Sequence, residues 1–233
     1  MHVSVIIPAA GYGRRMGNVK KPYLDLAGKT ILAHTLEVFQ QCPLVDNIVV
    51  VVAAGDEQSC VRDVIMPHGM EKADQVVAGG ETRQESVFNG LQSIPSDTDI
   101  VMVHDCARPF VTEEMIERSL EAAKKWGAAT VAMPVNNTIK EADDQGFVVS
   151  TLDRQRLWSI QTPQTFRYDL LLQAHLYARD NNIHVTDDAS LIEKLGKNKV
   201  KLVMGTSENI KITTPSDLVI AKAILESRKR AKD

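Results

Sequence analysis

The chain has 233 residues, of which 44% are hydrophobic, and a formal net charge of −3. This size and composition suit one large α/β domain, so we predict a single domain over residues 1–233. The basic residues are dispersed apart from a short run at 228–232, which argues against nucleic acid as a partner. Three cysteines without metal-type spacing and an amino terminus without a basic leader favour a cytoplasmic protein over an exported or membrane-spanning one.

The first apolar run leads into a glycine-containing segment with the sequence Pro8-Ala9-Ala10-Gly11-Tyr12-Gly13-Arg14-Arg15-Met16-Gly17. An apolar run that breaks into small residues and cations is typical of a buried strand that ends in a phosphate-binding turn. Glycines let backbone N–H groups approach a polyanion, and arginines neutralise its charge. Nucleotide binding is therefore the first hypothesis, and a plain turn between a strand and a helix is the alternative.

Two better-known glycine loops do not fit this segment. The Walker loop requires Gly-Lys followed by Ser or Thr, and no such string occurs in the sequence. The dinucleotide fingerprint requires a third glycine where Met16 stands, and here that glycine arrives one residue late, at Gly17. A nicotinamide or flavin site is thus disfavoured.

Runs rich in Val and Ile recur at residues 3–9, 47–53, 99–104 and 129–135, with helical periodicity between them. This alternation predicts an α/β fold: a Rossmann-like, mostly parallel twisted sheet with helices on both faces. Three apolar stripes at helical spacing are predicted to face the core: Ile31, Leu32, Thr35, Leu36 and Phe39; Val87, Phe88, Leu91 and Ile94; and Ile116, Leu120 and Ala123. Thr112 is predicted to cap one helix, and Thr214-Pro215 to begin a last helix that ends near Arg228.

One segment interrupts the alternation. Two short strands, Thr138–Glu141 and Phe147–Leu152, are joined by residues 142–146 and predict an inserted β-hairpin. A lone hairpin is marginally stable in water, so we expect it to pack against a second copy of the protein. The segment 138–158 is therefore predicted to be a protruding arm for a homodimer.

The string His104-Asp105-Cys106-Ala107-Arg108-Pro109 follows the third apolar run. It places a carboxylate at the carboxyl edge of a buried strand, where ligands of doubly wound sheets bind. A carboxylate beside a triphosphate commonly holds Mg²⁺, so Asp105 is a candidate metal ligand; a helix cap or an ion pair with Arg108 is the alternative. His104 is predicted to be a packed histidine rather than a base.

Further polar segments offer groups for two substrates. Lys20 and Lys21 follow the glycine loop closely enough for one of them to reach a phosphate. Residues 79–87 end a short strand and open a helix, which predicts free backbone amides for a base or ribose. Segments at 153–154, 161–164, 186–190 and 209–213 supply cations for a second phosphate and groups that bind a polyol; taken singly, Thr186-Asp187 predicts a helix cap and Thr162-Pro163 a turn.

Four of these strings occur in an order and spacing that resemble one enzyme family. They are Pro-Ala-Ala-Gly-x-Gly-x-Arg-Met at 8–16, His-Asp-x-Ala-Arg-Pro at 104–109, Thr-Pro-Gln at 162–164 and Asn-Ile-Lys-x-Thr at 209–213. The chain thereby resembles the 2-C-methyl-D-erythritol 4-phosphate cytidylyltransferases of the non-mevalonate isoprenoid route over residues 3–225. The resemblance implies transfer of CMP from CTP to methylerythritol phosphate, release of pyrophosphate, use of Mg²⁺ or another divalent cation, and a dimer in which the arm adds acceptor contacts to the partner subunit.

The resemblance also implies roles for individual residues. Arg15 and Lys21 would stabilise charge at the α-phosphorus, Lys211 would orient the α-phosphate and the acceptor, and Asp105 would touch the metal. The implied CTP-binding residues are Pro8, Ala9, Ala10, Gly11, Gly13, Arg15, Lys21, Gly80, Glu81, Arg83, Ser86 and Asp105. The implied acceptor-binding residues are Asp105, Arg108, Thr138, Arg154, Thr162, Thr186 and Lys211.

Three departures from the family pattern and two rival functions accompany this interpretation. The order Lys20-Lys21-Pro22 replaces the usual Pro-Lys-Gln, so Lys20 is the alternative to Lys21; Glu81 replaces a common Asp, and Cys106 replaces a frequent Ala. A ribitol 5-phosphate cytidylyltransferase would share the fold and chemistry. That group more often has Gly-Gly where this chain has Ala9-Ala10, so the resemblance favours methylerythritol phosphate over a pentitol phosphate. A nucleotide-binding protein without turnover is the rival from another class.

Overall fold

The computed structural model describes residues 1–11 and 20–230. Its strands are, in chain order, β1 His2–Pro8, β2 Asp25–Leu26, β3 Lys29–Thr30, β4 Asn47–Val52, β5 Gln75–Ala78, β6 Thr98–Val103, β7 Ala128–Pro134, β8 Lys140–Ala142, β9 Val148–Thr151, β10 Trp158–Arg167 and β11 Lys201–Met204. Its α-helices are α1 Ile31–Gln41, α2 Glu57–Cys60, α3 Arg83–Leu91, α4 Glu113–Trp126, α5 Tyr168–Asp180, α6 Asp188–Leu195 and α7 Pro215–Arg230. Short 3₁₀ turns lie at Lys21–Tyr23, Met66–His68 and Arg154–Arg156, and one π-helical turn lies at Val61–Ile65.

A seven-stranded sheet of order β11-β7-β10-β6-β1-β4-β5 forms the centre of the fold. The four apolar runs of the sequence are β1, β4, β6 and β7, and β4 is buried along its whole length. Strand β1 pairs in parallel with β4 and β6, and β4 pairs in parallel with β5. The predicted mostly parallel α/β fold is confirmed. The loops that leave β1, β4, β5 and β6 at their carboxyl ends therefore lie at one edge of the sheet.

Strand β10 is the exception to the parallel arrangement, since it runs antiparallel to both β6 and β7. It contains Thr162-Pro163, so the prediction of a turn at that dipeptide is wrong. The pairing of β10 with β7 is interrupted between Ile160 and Gln164. Proline lacks the N–H that a regular ladder requires, and an irregularity of this kind accommodates it.

The predicted helices are present, and most of their apolar stripes face the core. All five stripe residues of α1 are buried, as are Ile116, Leu120 and Ala123 of α4. Phe88 departs from the prediction because it is only partly buried, and Ile94 lies beyond the end of α3. The hydroxyl of Thr112 accepts a hydrogen bond from the Met115 amide and caps α4 as expected.

Strands β8 and β9 form a separate two-stranded sheet, which confirms the predicted hairpin. Its side chains are largely exposed, including Phe147 at 67%, Val148 at 63% and Val149 at 62%. Such a run of exposed apolar residues is characteristic of a surface that another protein covers.

Among the described helices, none combines the length and the apolar character that crossing a bilayer requires. Cys42, Cys60 and Cys106 are all free and buried.

Candidate active site

Three loops at the carboxyl edge of the sheet surround a cavity of about 210 Å³. They follow β1, β5 and β6, and Lys21 and Lys211 complete the wall. Ten of the twelve predicted CTP-binding residues line it: Pro8, Ala9, Ala10, Gly11, Lys21, Gly80, Glu81, Arg83, Ser86 and Asp105. Gly13 and Arg15, the other two, lie outside the described residues.

The start of α3 forms the part of this wall opposite the β1 loop. Thr82 and Glu85 make a capping box, in which Glu85 Oε2 accepts hydrogen bonds from the amides of Glu81 at 2.7 Å and Thr82 at 3.2 Å. The Gly80 amide donates to Ser86 Oγ at 3.2 Å. The expectation of free amides for a base or ribose is therefore wrong for Gly80, Glu81 and Thr82, because the helix start uses their amides itself.

Asp105 is buried at the floor of the cavity among three cations. Its Oδ1 lies 3.1 Å from Arg83 Nε, and its Oδ2 lies 2.8 Å from Lys211 Nζ and 3.6 Å from Arg108 Nε. Burial alone would raise the pKa of Asp105, but Arg83, Lys211 and Arg108 hold it well below its ordinary value. The carboxylate is thus ionised, and the three cations leave excess positive charge where a polyphosphate would bind.

A second cavity, of about 550 Å³, adjoins the first and shares Arg83, Asp105 and Lys211 with it. Five of the seven predicted acceptor-binding residues line it: Asp105, Arg108, Thr162, Thr186 and Lys211. Thr138 and Arg154 lie elsewhere in the described chain: Thr138 is exposed beside the hairpin, and Arg154 Nη1 donates to the carbonyl of Asn136 at 2.7 Å.

A hydrogen-bonded chain fixes the loop that carries Asp105. The Asp105 amide donates to Thr162 Oγ1 at 3.1 Å, and Thr162 Oγ1 lies 3.0 Å from His104 Nδ1. His104 Nε2 lies 3.0 Å from the carbonyl of Arg108, which can only accept, so we assign the proton to Nε2 and the acceptor role to Nδ1. Burial lowers the pKa of His104 to about 4, which keeps the ring neutral and fits the predicted packing role. Sequence reasoning did not find this link between His104 and Thr162.

The loop after β11 brings Lys211 to the same place. Asn209 is fully buried. Its Nδ2 donates to the Thr162 carbonyl at 2.9 Å, and its backbone carbonyl accepts from Arg108 Nη1 at 2.8 Å. The Ile212 amide donates to the Ala107 carbonyl at 2.9 Å. These bonds tie the loop to β10 and to the segment after β6, and they place Lys211 beside Asp105.

The two neighbouring lysines have different surroundings. Lys20 Nζ forms an ion pair with Asp56, with distances of 2.6 and 2.8 Å to the two carboxylate oxygens, and lies in a separate depression. Lys21 lines the first cavity, and its Nζ lies 3.4 Å from the carbonyl of Ile212. The geometry therefore favours Lys21 over Lys20 for contact with a phosphate.

Cys106 also lines the first cavity. Burial raises the pKa of its thiol to about 12, so the thiol remains protonated.

Comparison with known proteins identifies the family. The family model IspD, 2-C-methyl-D-erythritol 4-phosphate cytidylyltransferase, matches residues 3–227. The chain belongs to this family. A 2-C-methyl-D-erythritol 4-phosphate cytidylyltransferase of Desulforamulus reducens is 47% identical to it, with 97% of each chain covered.

Solved structures of family members have the same fold. A 4-diphosphocytidyl-2C-methyl-D-erythritol synthase from Anaerococcus prevotii matches with a TM-score of 0.84 at 33% identity, covering 97% of this chain and 96% of that one. A 2-C-methyl-D-erythritol 4-phosphate cytidylyltransferase from Thermus thermophilus matches with a TM-score of 0.81 at 37% identity, covering 97% of this chain and all of that one. The resemblance found in the sequence motifs is confirmed, and this family member is a nucleotidyltransferase.

Proposed function

We propose that this family member transfers CMP from CTP to 2-C-methyl-D-erythritol 4-phosphate. The observation that carries the proposal is the pair of adjoining cavities that share Arg83, Asp105 and Lys211. Two cavities with a common cationic boundary suit a reaction between two phosphorylated substrates. The names of the relatives support the choice of donor and acceptor.

In this reaction a phosphate oxygen of the acceptor attacks the α-phosphorus of CTP. The new P–O bond gives 4-diphosphocytidyl-2-C-methyl-D-erythritol, and the bond from the α-phosphorus to the bridging oxygen breaks and releases pyrophosphate. The attacking group is already an anion, so the reaction needs no protein base. Catalysis then depends on positioning and on neutralising charge, and both are functions of fixed cations.

The described cations divide this work according to their place. Lys21 lines only the first of the two cavities and would meet the triphosphate, whereas Lys211 lies at the boundary and would contact both the α-phosphate and the acceptor. Arg108 lines the second cavity, where it would bind the acceptor phosphate. The role of Arg15 in stabilising charge at the α-phosphorus stays a prediction from the sequence motif.

We further propose that a divalent cation accompanies the nucleotide at this site. Within residues 1–11 and 20–230, no group of three or more His, Cys, Asp or Glu side chains is arranged to hold a metal. Mg²⁺ commonly takes one or two carboxylates and completes its shell with phosphate oxygens and water. Asp105 would supply the carboxylate, and the bound ion would draw electron density from the phosphates and so favour attack.

A homodimer through the arm 138–158 completes the proposal. The exposed apolar residues of β9 and the turn before it supply a surface for a second copy. Thr138 and Arg154 lie on this arm rather than in the acceptor cavity of the same chain, which suits contacts made across the dimer. The cytoplasmic location also stays a prediction; free buried cysteines are what a reducing compartment favours.

The test is the formation of product from CTP, Mg²⁺ and methylerythritol phosphate, followed by mass spectrometry and pyrophosphate release. We expect both products in equal amounts and none without the acceptor. Calorimetric binding of CTP without any turnover would instead support the rival nucleotide-binding protein. Lys199→Ala, a change at an exposed lysine outside both cavities, is the matched control for lysine variants of the site.

A further inference from the structure

Arg83 is the first residue of α3 and is held between two carboxylates. Its Nε lies 3.1 Å from Asp105 Oδ1, and its Nη1 donates to Asp188 Oδ2 at 2.7 Å. Arg83 lines both cavities, whereas Asp188 is not part of either lining. Asp188 thus touches the site through Arg83.

Asp188 itself is fixed from several sides. It begins α6 and its side chain is 1% exposed. Its amide donates to Gln164 Oε1 at 2.9 Å, and its Oδ1 lies 3.6 Å from Nε2 of the buried His175. The His175 ring in turn stacks on Phe88, with 5.9 Å between the ring centroids. The carboxylate therefore has little freedom to follow Arg83 if the arginine moves.

The ion pair is more informative about position than about stability. Burial alone would raise the pKa of Asp188, but Arg83 and then His175 hold it below its ordinary value, so the carboxylate is charged. A buried ion pair contributes little net stability compared with apolar side chains of the same size, because desolvation offsets the attraction. The main consequence of the pair is that the guanidinium points in one direction.

In this orientation one terminal nitrogen of Arg83 is not used by either carboxylate at the boundary between the two cavities. Nε and Nη1 bind carboxylates, and Nη2 makes no hydrogen bond within the described residues. An arginine without Asp188 would be free to turn both terminal nitrogens toward Asp105. It would then neutralise Asp105 more fully and present a different face to the substrates.

We propose that Asp188 is a positioning residue that holds Arg83 at the boundary between the nucleotide and acceptor cavities. This inference rests on the proposed function and deepens it. Asp188 lines neither cavity, but it would set the orientation of Arg83, which lines both. Because misplacing a group by about 1 Å can cost roughly 10²-fold in rate, we expect a loss of that order in kcat/KM when Asp188 loses its charge.

The test is a double-mutant cycle with Asp188→Asn, Arg83→Gln and the double variant, measured by pyrophosphate release and by calorimetric binding of CTP. We expect Asp188→Asn to lower kcat/KM and CTP affinity in the wild-type background and to have no further effect in the Arg83→Gln background. Tm should change in a different pattern from activity. Arg83→Gln leaves the buried Asp188 carboxylate without its arginine and should lower Tm. Adding Asp188→Asn should raise Tm again without restoring activity. Asp63→Asn, at an exposed aspartate paired with Arg62, is the control.

Wild-type kcat/KM and CTP affinity in Asp188→Asn would overturn the proposal, and so would losses that multiply in the double variant. If the wild-type protein released no pyrophosphate, the proposed function would fail, and the same cycle on CTP affinity would still decide the role of Asp188.

Discussion

The buried, neutral ring of His104 predicts how the stability of the protein depends on pH. This ring is fully buried between Thr162 and the Arg108 carbonyl, and burial lowers its pKa from 6.5 to about 4. As the pH falls, the unfolded chain binds a proton at this histidine before the folded protein does. Stability therefore rises with pH wherever the unfolded state carries the extra proton, which is between about pH 4 and 6.5.

The size of the effect follows from the difference of the two pKa values. Each unit corresponds to about 1.4 kcal/mol, so His104 lowers the free energy of unfolding by about 3 kcal/mol between pH 6.5 and 4. Asp105 and Asp188 act in another range. Their pKa values lie below the ordinary value of 3.8, so the stability they contribute is present above that pH and is lost only at lower pH.

The assay is urea unfolding at several pH values between 4.5 and 8 for the wild type and for His104→Gln. Glutamine keeps one donor and one acceptor but does not titrate, so the variant should show a flatter dependence of unfolding free energy on pH below 6.5. His184→Gln, which removes an exposed imidazole, controls for the loss of one histidine. Parallel curves for the wild type and His104→Gln would refute the reasoning.

Three further predictions concern the cavities and the arm. Lys21→Ala should lower kcat by roughly 10² to 10³-fold in the pyrophosphate assay, as removal of a transition-state donor does, whereas Lys20→Ala should leave kcat nearly unchanged. Gly79→Ala would place a Cβ 2.5 Å from the Ala10 Cβ; it should destabilise the protein by about 1–3 kcal/mol in urea unfolding and raise the KM for CTP, because two loops of the nucleotide cavity must separate. Deletion of 138–152 should give a monomer in sedimentation that binds CTP but little acceptor.

Each of these has a clear contrary result. A near-normal kcat in Lys21→Ala with a large loss in Lys20→Ala would exchange the roles of the two lysines. An unchanged KM for CTP in Gly79→Ala would mean that the close approach to Ala10 does not shape the cavity. An intact dimer after removal of the arm would contradict its proposed role.

The sequence predicts many residues of the first cavity because they directly follow apolar runs. Strands β1 and β6 are recognisable as buried runs, and parallel strands bring the segments after them to one edge. Ala10 and Asp105 therefore meet in a cavity although nearly a hundred residues separate them. The sequence also contains the Thr-x-x-Glu pattern of a capping box at Thr82 and Glu85. That pattern indicates that Glu85 binds amides at the helix start, against the prediction that they are free.

Other parts of the fold depend on contacts that no local pattern encodes. Strand β10 carries Pro163 and polar residues in its centre, so neither alternation nor β-propensity marks it as a central strand. The pairing of Arg83 with Asp188 joins residues 105 positions apart, and a single sequence gives no signal for it. The local pattern at Asp188 indicates only the start of a helix.

We propose that the protein joins CTP to methylerythritol phosphate at the boundary formed by Arg83, Asp105 and Lys211. The most direct measurement offers the protein CTP and Mg²⁺ with methylerythritol phosphate and ribitol 5-phosphate together, and determines the ratio of the two cytidylylated products. We predict that the methylerythritol product dominates at equal acceptor concentrations. A predominance of the ribitol product would contradict the proposed acceptor, and the absence of both products would contradict the enzyme itself.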